Sequence, residues 1–190
     1  MGQLEGGTST VYDNPNLRQT NDLSRMYGTQ GVVLLEIGAK VQDHIFVGGY
    51  LGGGLGGSGS DFQSACGRSG VSCLTSLFRL GFEAQYHFIP DGLINPWVGV
   101  GLGYESASLH VRGPGGEAKV SASGIELADL MIGADVRLTQ KIGIGPVLSA
   151  SAAQYSTAEL ESNGTTKSGD IGDKAIHSWF NLGARAVFFP

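Results

Sequence analysis

The chain has 190 residues, of which 32 are glycine and 15% are charged, and its formal net charge is -5. Soluble domains carry roughly 7% glycine and roughly 25% charged residues, so glycine is in excess here and charge in deficit. Disorder, which needs high charge and low hydrophobicity, is excluded, and so is a nucleic-acid footprint, which needs a basic patch. The length suits one domain or one closed barrel. No run reaches the ~18 apolar residues of a membrane-crossing helix, and Met1-Gly2-Gln3-Leu4-Glu5 lacks the basic start and apolar core of a signal peptide.

Residues 1–30 are polar and aperiodic, with turn formers at Asp13-Asn14-Pro15-Asn16 and Asn21-Asp22-Leu23-Ser24. They read as a polar N-terminal segment or outer loop. From Gly31 onward the chain alternates apolar residues with glycine or charge, as in Val98-Gly99-Val100-Gly101-Leu102-Gly103-Tyr104-Glu105. A period of two marks a strand with two unlike faces. Seven strands follow: Gly31–Val41, His44–Gly56, Leu74–Phe88, Trp97–Val111, Lys119–Leu138, Lys141–Tyr155 and Ile176–Phe189. Gln42-Asp43 and Thr139-Gln140 are tight turns, and Ile89–Pro96, carrying Pro90-Asp91-Gly92, is a moderate one. Gly57–Cys73, Arg112–Ala118 and Ser156–Ala175 are polar loops. Short turns at one end and long loops at the other mark an outer-membrane barrel, and such barrels have an even strand count. Seven is one short. The first strand is expected upstream of Met1, the alternative being a weakly patterned strand within residues 1–12, best at Thr8–Tyr12.

Volume and charge decide which face points inward. One face carries Val33, Leu35 and Ile37, Leu51 and Leu55, Phe78, Leu80 and Phe82, Val100 and Leu102, Leu130 and Ile132, and Phe180 and Leu182, with no charge. The other carries glycines, five acids (Glu36, Glu83, Glu105, Asp129, Asp135) and four bases (Lys40, Arg79, Arg137, Arg185). An eight-stranded interior is just wide enough for side chains to fill. Bulky residues at every inward position would overfill it, whereas glycine alternating with a few long charged residues fits. The apolar face therefore meets lipid. A buried charge without a partner costs several kcal/mol, so the nine charged residues are expected to pair as an inner network. The fold expected is all-β: an antiparallel up-and-down transmembrane barrel of about eight strands, spanning residues 31–190. A soluble ligand-binding barrel, with its charged face in water, is the rival.

Asn95-Pro96-Trp97-Val98-Gly99-Val100-Gly101-Leu102-Gly103-Tyr104-Glu105 resembles the central strand of the small outer-membrane β-barrel domain family of diderm bacteria. His44-Ile45-Phe46-Val47-Gly48-Gly49-Tyr50 resembles the strand after that family's first inner-side turn, and His177–Phe189 resembles its closing strand. The resemblance covers residues 31–190. It implies location in the bacterial outer membrane, outer-membrane lipid and the barrel-assembly machinery as partners, and no shared catalytic motif. The chain departs from the family in lacking a signal peptide and first strand, and in adding Pro190 after the terminal aromatic Phe189.

Cys66 and Cys73 flank six residues of a polar loop, and in an exported chain two such cysteines point to a disulfide, the alternative being a pair of free thiols and a metal site being poorer for want of a nearby histidine. His110 or His177 with Ser108, Ser178 or Asp173 would be the candidates for a rim active site. His110, however, falls on the lipid-facing phase and His177 on the inner one. Glu159, Glu161, Asp170 and Asp173 share one loop but lack the spacing of a calcium loop. Gly52–Gly57 lacks the lysine and following helix of a phosphate loop. No cofactor or metal is expected. The function expected is a non-enzymatic structural or binding module with a plugged or narrow interior, contacting another chain or a small ligand through its outer loops. The alternatives are a conduit for small or apolar solutes and, behind it, a lipid-modifying enzyme.

Overall fold

The computed structural model describes residues 2–13, 27–59, 62, 64, 66–172 and 176–188, and residues 2–13 by their backbone. The described residues form nine strands: β1 (Gly2–Asp13), β2 (Tyr27–Gln42), β3 (Ile45–Ser58), β4 (Ser72–His87), β5 (Ile94–Gly113), β6 (Gly116–Arg137), β7 (Ile142–Ser162), β8 (Thr165–Asp170) and β9 (Ile176–Phe188). Each of β1 to β7 pairs antiparallel with the next, β7 pairs with β9, and β9 returns to β1. Eight strands therefore close a ring, and β8 is a short ninth strand attached to β7 outside it.

The eighth strand of the ring is Gly2–Asp13, which corrects the expectation of a first strand upstream of Met1. Its partners explain why it forms despite a weak pattern. β2 and β9 would each present an open edge, and in lipid every unpaired backbone N–H and C=O costs several kcal/mol. Gly2–Ser9 pairs with Gln30–Ile37 on one side, and Gly2–Asp13 with His177–Phe188 on the other. Hydrogen-bonding demand from both edges recruits a segment whose own alternation is poor.

Two expected loops are also largely strand. β5 and β6 run on to a turn at Pro114-Gly115, with pairing as far as Gly113 and Gly116. β7 continues to Ser162 and returns as β8 through Asn163-Gly164, whose φ angles of 48° and 79° are those of a primed hairpin turn. The Asn-Gly pair was legible as that turn. β4 to β8 together raise a sheet above one side of the mouth, and β8 is exposed throughout.

The lipid-facing phase is as the alternation implies. Phe82, Leu182 and Ile37 are 73%, 64% and 63% exposed, and their neighbours on the same phase are likewise uncovered. Along β4 and the residue that follows it this belt runs from Phe78 to Phe88, about 33 Å of extended chain, which at the usual tilt gives the roughly 25 Å height of an outer-membrane apolar band. At its turn end Tyr86 stacks on His44 and meets Phe88 edge-on, an aromatic girdle. A surface this apolar is incompatible with water, which removes the soluble barrel.

Candidate functional site

The interior is filled at three levels. Nearest the turns, Arg185 forks onto Asp135, with Nε to Oδ1 at 2.7 Å and Nη2 to Oδ2 at 2.6 Å. Its Nη1 donates to Gln85 Oε1 at 3.0 Å and lies 4.0 Å from Glu36. The guanidinium rests 3.6 Å above the Trp97 ring, a cation–π contact strengthened by the burial of both groups. Gln85 in turn donates to Glu83 at 3.2 Å and to Glu36 at 3.4 Å.

At mid-height Arg79 donates from Nε to Glu126 Oε2 at 3.1 Å and from Nη2 to Asp129 Oδ2 at 2.9 Å, and also pairs with Glu126 Oε1. Tyr50 crosses the lumen to donate to Glu126 at 3.0 Å. Glu105 accepts from Tyr155 at 2.6 Å and Trp179 Nε1 at 2.9 Å, with His177 Nε2 at 3.0 Å. Above these, Tyr27, Leu77, Leu109, Tyr155 and Trp179 form an apolar cluster, with Phe62 and Ile171 from the outer loops packed against it.

The glycines make room for these long side chains. A Cβ at Gly81 or Gly103 would collide with the Tyr50 ring, and one at Gly133 would collide with the Trp97 indole. The Tyr50 and Trp97 side chains are thus seated on wall positions that have no side chain.

Of the nine charged residues assigned to the interior, seven lie there: Glu36, Arg79, Glu83, Glu105, Asp129, Asp135 and Arg185 are all buried. The other two lie at the turn rim. Lys40 is exposed and donates to the Asp43 carbonyl at 3.1 Å, and Arg137 donates to the Pro90 carbonyl at 2.8 Å. Both phases are inward and both positions are still paired, Lys40 with Phe46 and Arg137 with Gly143, but they stand at the turn ends of their strands, where the side chains reach the turn carbonyls instead of the lumen. The alternation also overlooks Glu126, which is fully buried. Its even number puts it in phase with lipid-facing Leu130 and Ile132. One extra residue in β6 between Glu126 and Ala128, against both β5 and β7, reverses that phase. A bulge of this kind leaves no mark in the hydrophobic pattern apart from the consecutive Leu127-Ala128.

Cys66 and Cys73 are joined in a disulfide, with Cα atoms 5.6 Å apart. Chain-entropy arithmetic for so short a loop gives about 2–3 kcal/mol. Because Cys73 stands at the loop end of β4, beyond that strand's last pairing with β3 at Thr75, reduction is expected to loosen this loop while the barrel keeps its resistance to unfolding in detergent. Limited proteolysis with and without reductant, read beside gel mobility, checks this. A collapse of the barrel on reduction would contradict it.

Among the described residues the candidate histidines stand apart from one another. His177 is buried against Glu105, while His110 lies on the raised hairpin, 3.4 Å from Glu117. Ser108 is bonded to Ser76 at 2.7 Å, and Asp173 lies outside the described residues. Arg112, 2.8 Å from Glu117, holds that exposed carboxyl below the usual carboxylate range. Glu159 and Glu161 stand on β7 and Asp170 on β8. Among the described residues no three His, Cys, Asp or Glu side chains stand in a metal-binding arrangement.

No protein-family model and no curated protein sequence matches the chain. Solved structures do match its fold. A major outer membrane protein of Thermus thermophilus aligns with a TM-score of 0.55 at 14% identity, covering all of both chains. Neisserial surface protein A aligns at 0.54 and 13% identity, covering 99% of this chain and 96% of that one. Ail of Yersinia pestis, in complex with the heparin analogue sucrose octasulfate, aligns at 0.53 and 9% identity, covering 97% of this chain and 95% of that one. With a closed ring of eight strands, a charged interior and an apolar exterior, the chain has the fold of the small bacterial outer-membrane β-barrel proteins.

Proposed function

We propose that the chain is a non-enzymatic barrel of the bacterial outer membrane whose plugged lumen anchors a binding surface carried by the raised β5–β8 hairpins. The observation that carries this reading is the inaccessibility of the lumen side chains. Arg79 and Arg185, at two different levels, are each 2% exposed. A water-filled conduit would leave its lining side chains open to solvent. Seating both arginines across the lumen and capping the mouth with apolar residues is the arrangement of an anchor.

The raised sheet is the contact surface this reading assigns. It carries Arg112, Lys119 and Lys167 beside Glu117, Glu159, Glu161 and Asp170. A mixed surface selects by complementary pairing, which suits a protein partner or a small polar ligand better than a polyanion such as the one seen on Ail. Bilayer lipid and the barrel-assembly machinery complete the partners proposed. A catalytic role is disfavoured because His177 is buried against Glu105 and His110 is turned to Glu117 on the raised hairpin.

Planar-bilayer recording of the purified, folded chain tests the plug. No stepwise conductance is expected from wild type. Steady single-channel steps, in preparations whose gel mobility shows the folded form, would replace the anchor with the conduit.

A further inference from the structure

We propose that the barrel interior holds a hard inorganic cation, of the Na⁺ or Ca²⁺ class, between Glu105, Asp129, Ser151 and Asn181. The first observation is the sign of the lumen. Among the described residues six carboxylates are buried there, counting Glu126, against two guanidinium groups. β1, the one strand described by its backbone, contains neither lysine nor arginine. At mid-height three of the acids share Arg79 and the His177 imidazole. A buried charge left uncompensated costs several kcal/mol, so positive charge beyond the arginines is needed.

The second observation points to where it sits. Glu105 Oε2, Asp129 Oδ1, Ser151 Oγ and Asn181 Oδ1 are buried and have no hydrogen-bond partner. They share one stretch of wall. Asp129 pairs across to Ser151 on β7, Ser151 pairs with Trp179 on β9, and Asn181 is two residues along, donating to Ser149 at 2.9 Å. Glu105 reaches this wall from β5 by accepting the Trp179 indole N–H at 2.9 Å. Oxygens alone, two of them from carboxylates, form a donor set for a hard cation and suit neither a soft metal nor an anion.

The test uses the full chain folded in detergent, with ⁴⁵Ca²⁺ binding, ²³Na⁺ resonance, and the unfolding midpoint in NaCl against choline chloride at equal ionic strength. One saturable ion per chain is expected, with a higher midpoint in its presence. Ser151→Ala combined with Asn181→Ala should weaken binding at least tenfold while the folded gel mobility persists. Glu105→Gln, which keeps the shape and removes the charge, serves as a second variant should the first fail to fold. Binding of sodium alone or of calcium alone supports the site and identifies its ion. Two outcomes overturn it: a midpoint indifferent to both ions with neither bound, in which case protons compensate the acids, or binding lost in Glu159→Gln with Glu161→Gln and kept in the lumen variants.

Discussion

Arg79→Leu is expected to destabilise the folded barrel by about 3–5 kcal/mol, the cost of removing one partner of a buried ion pair. The arginine is the common partner of Glu126 and Asp129, both buried. Leucine would fill part of the space but leave two carboxylates with no cation between them. Its neighbour in sequence supplies the control. Leu80 faces lipid and is half exposed, and lipid tails are as apolar as leucine, so Leu80→Ala should cost below about 1 kcal/mol. Arg79→Lys keeps the charge but loses the fork that meets both acids, and should fall between the two. Urea unfolding of the three variants in lipid vesicles ranks them. If Arg79→Leu proves no worse than Leu80→Ala, the lumen charges are not held by pairing.

Gly145→Ala is expected to prevent ring closure between β6 and β7. A Cβ at this position would overlap the Ala134 carbonyl and press on the Asp135 backbone. The obstructing atoms are backbone in the neighbouring strand, so no rotamer change relieves the collision, and Asp135 is the residue that clamps Arg185. Overpacking of a well-filled interior costs about 1–3 kcal/mol even where side chains can adjust, and here they cannot. The readout is the difference in gel mobility between boiled and unboiled samples, which a closed barrel shows and an open sheet does not. Gly169→Ala, where an added Cβ meets nothing within 4 Å, should retain the shift. A Gly145→Ala chain that still shows it would mean that β6 and β7 can move apart without opening the ring.

The sequence by itself determined which surface meets lipid. An uncharged apolar face opposite glycine and charge admits one solution in a barrel of eight strands, because the interior is too narrow for the bulky face. The same periodicity placed six of the strands to within about four residues, fell short of the end of β7 at Ser162, and put Arg79, Arg185 and five of the buried acids inside. Three things lay beyond it. Gly2–Asp13 becomes a strand because two open edges in lipid demand a partner, a requirement that exists only once the ring is nearly closed. Glu126 turns inward because a single extra residue in β6 reverses the phase, and period-two reading assumes a constant phase. The acids that the two lumen arginines meet lie across the barrel, between 47 and 149 positions away in sequence. Which acid meets which base therefore depended on curvature and register, which no local pattern records.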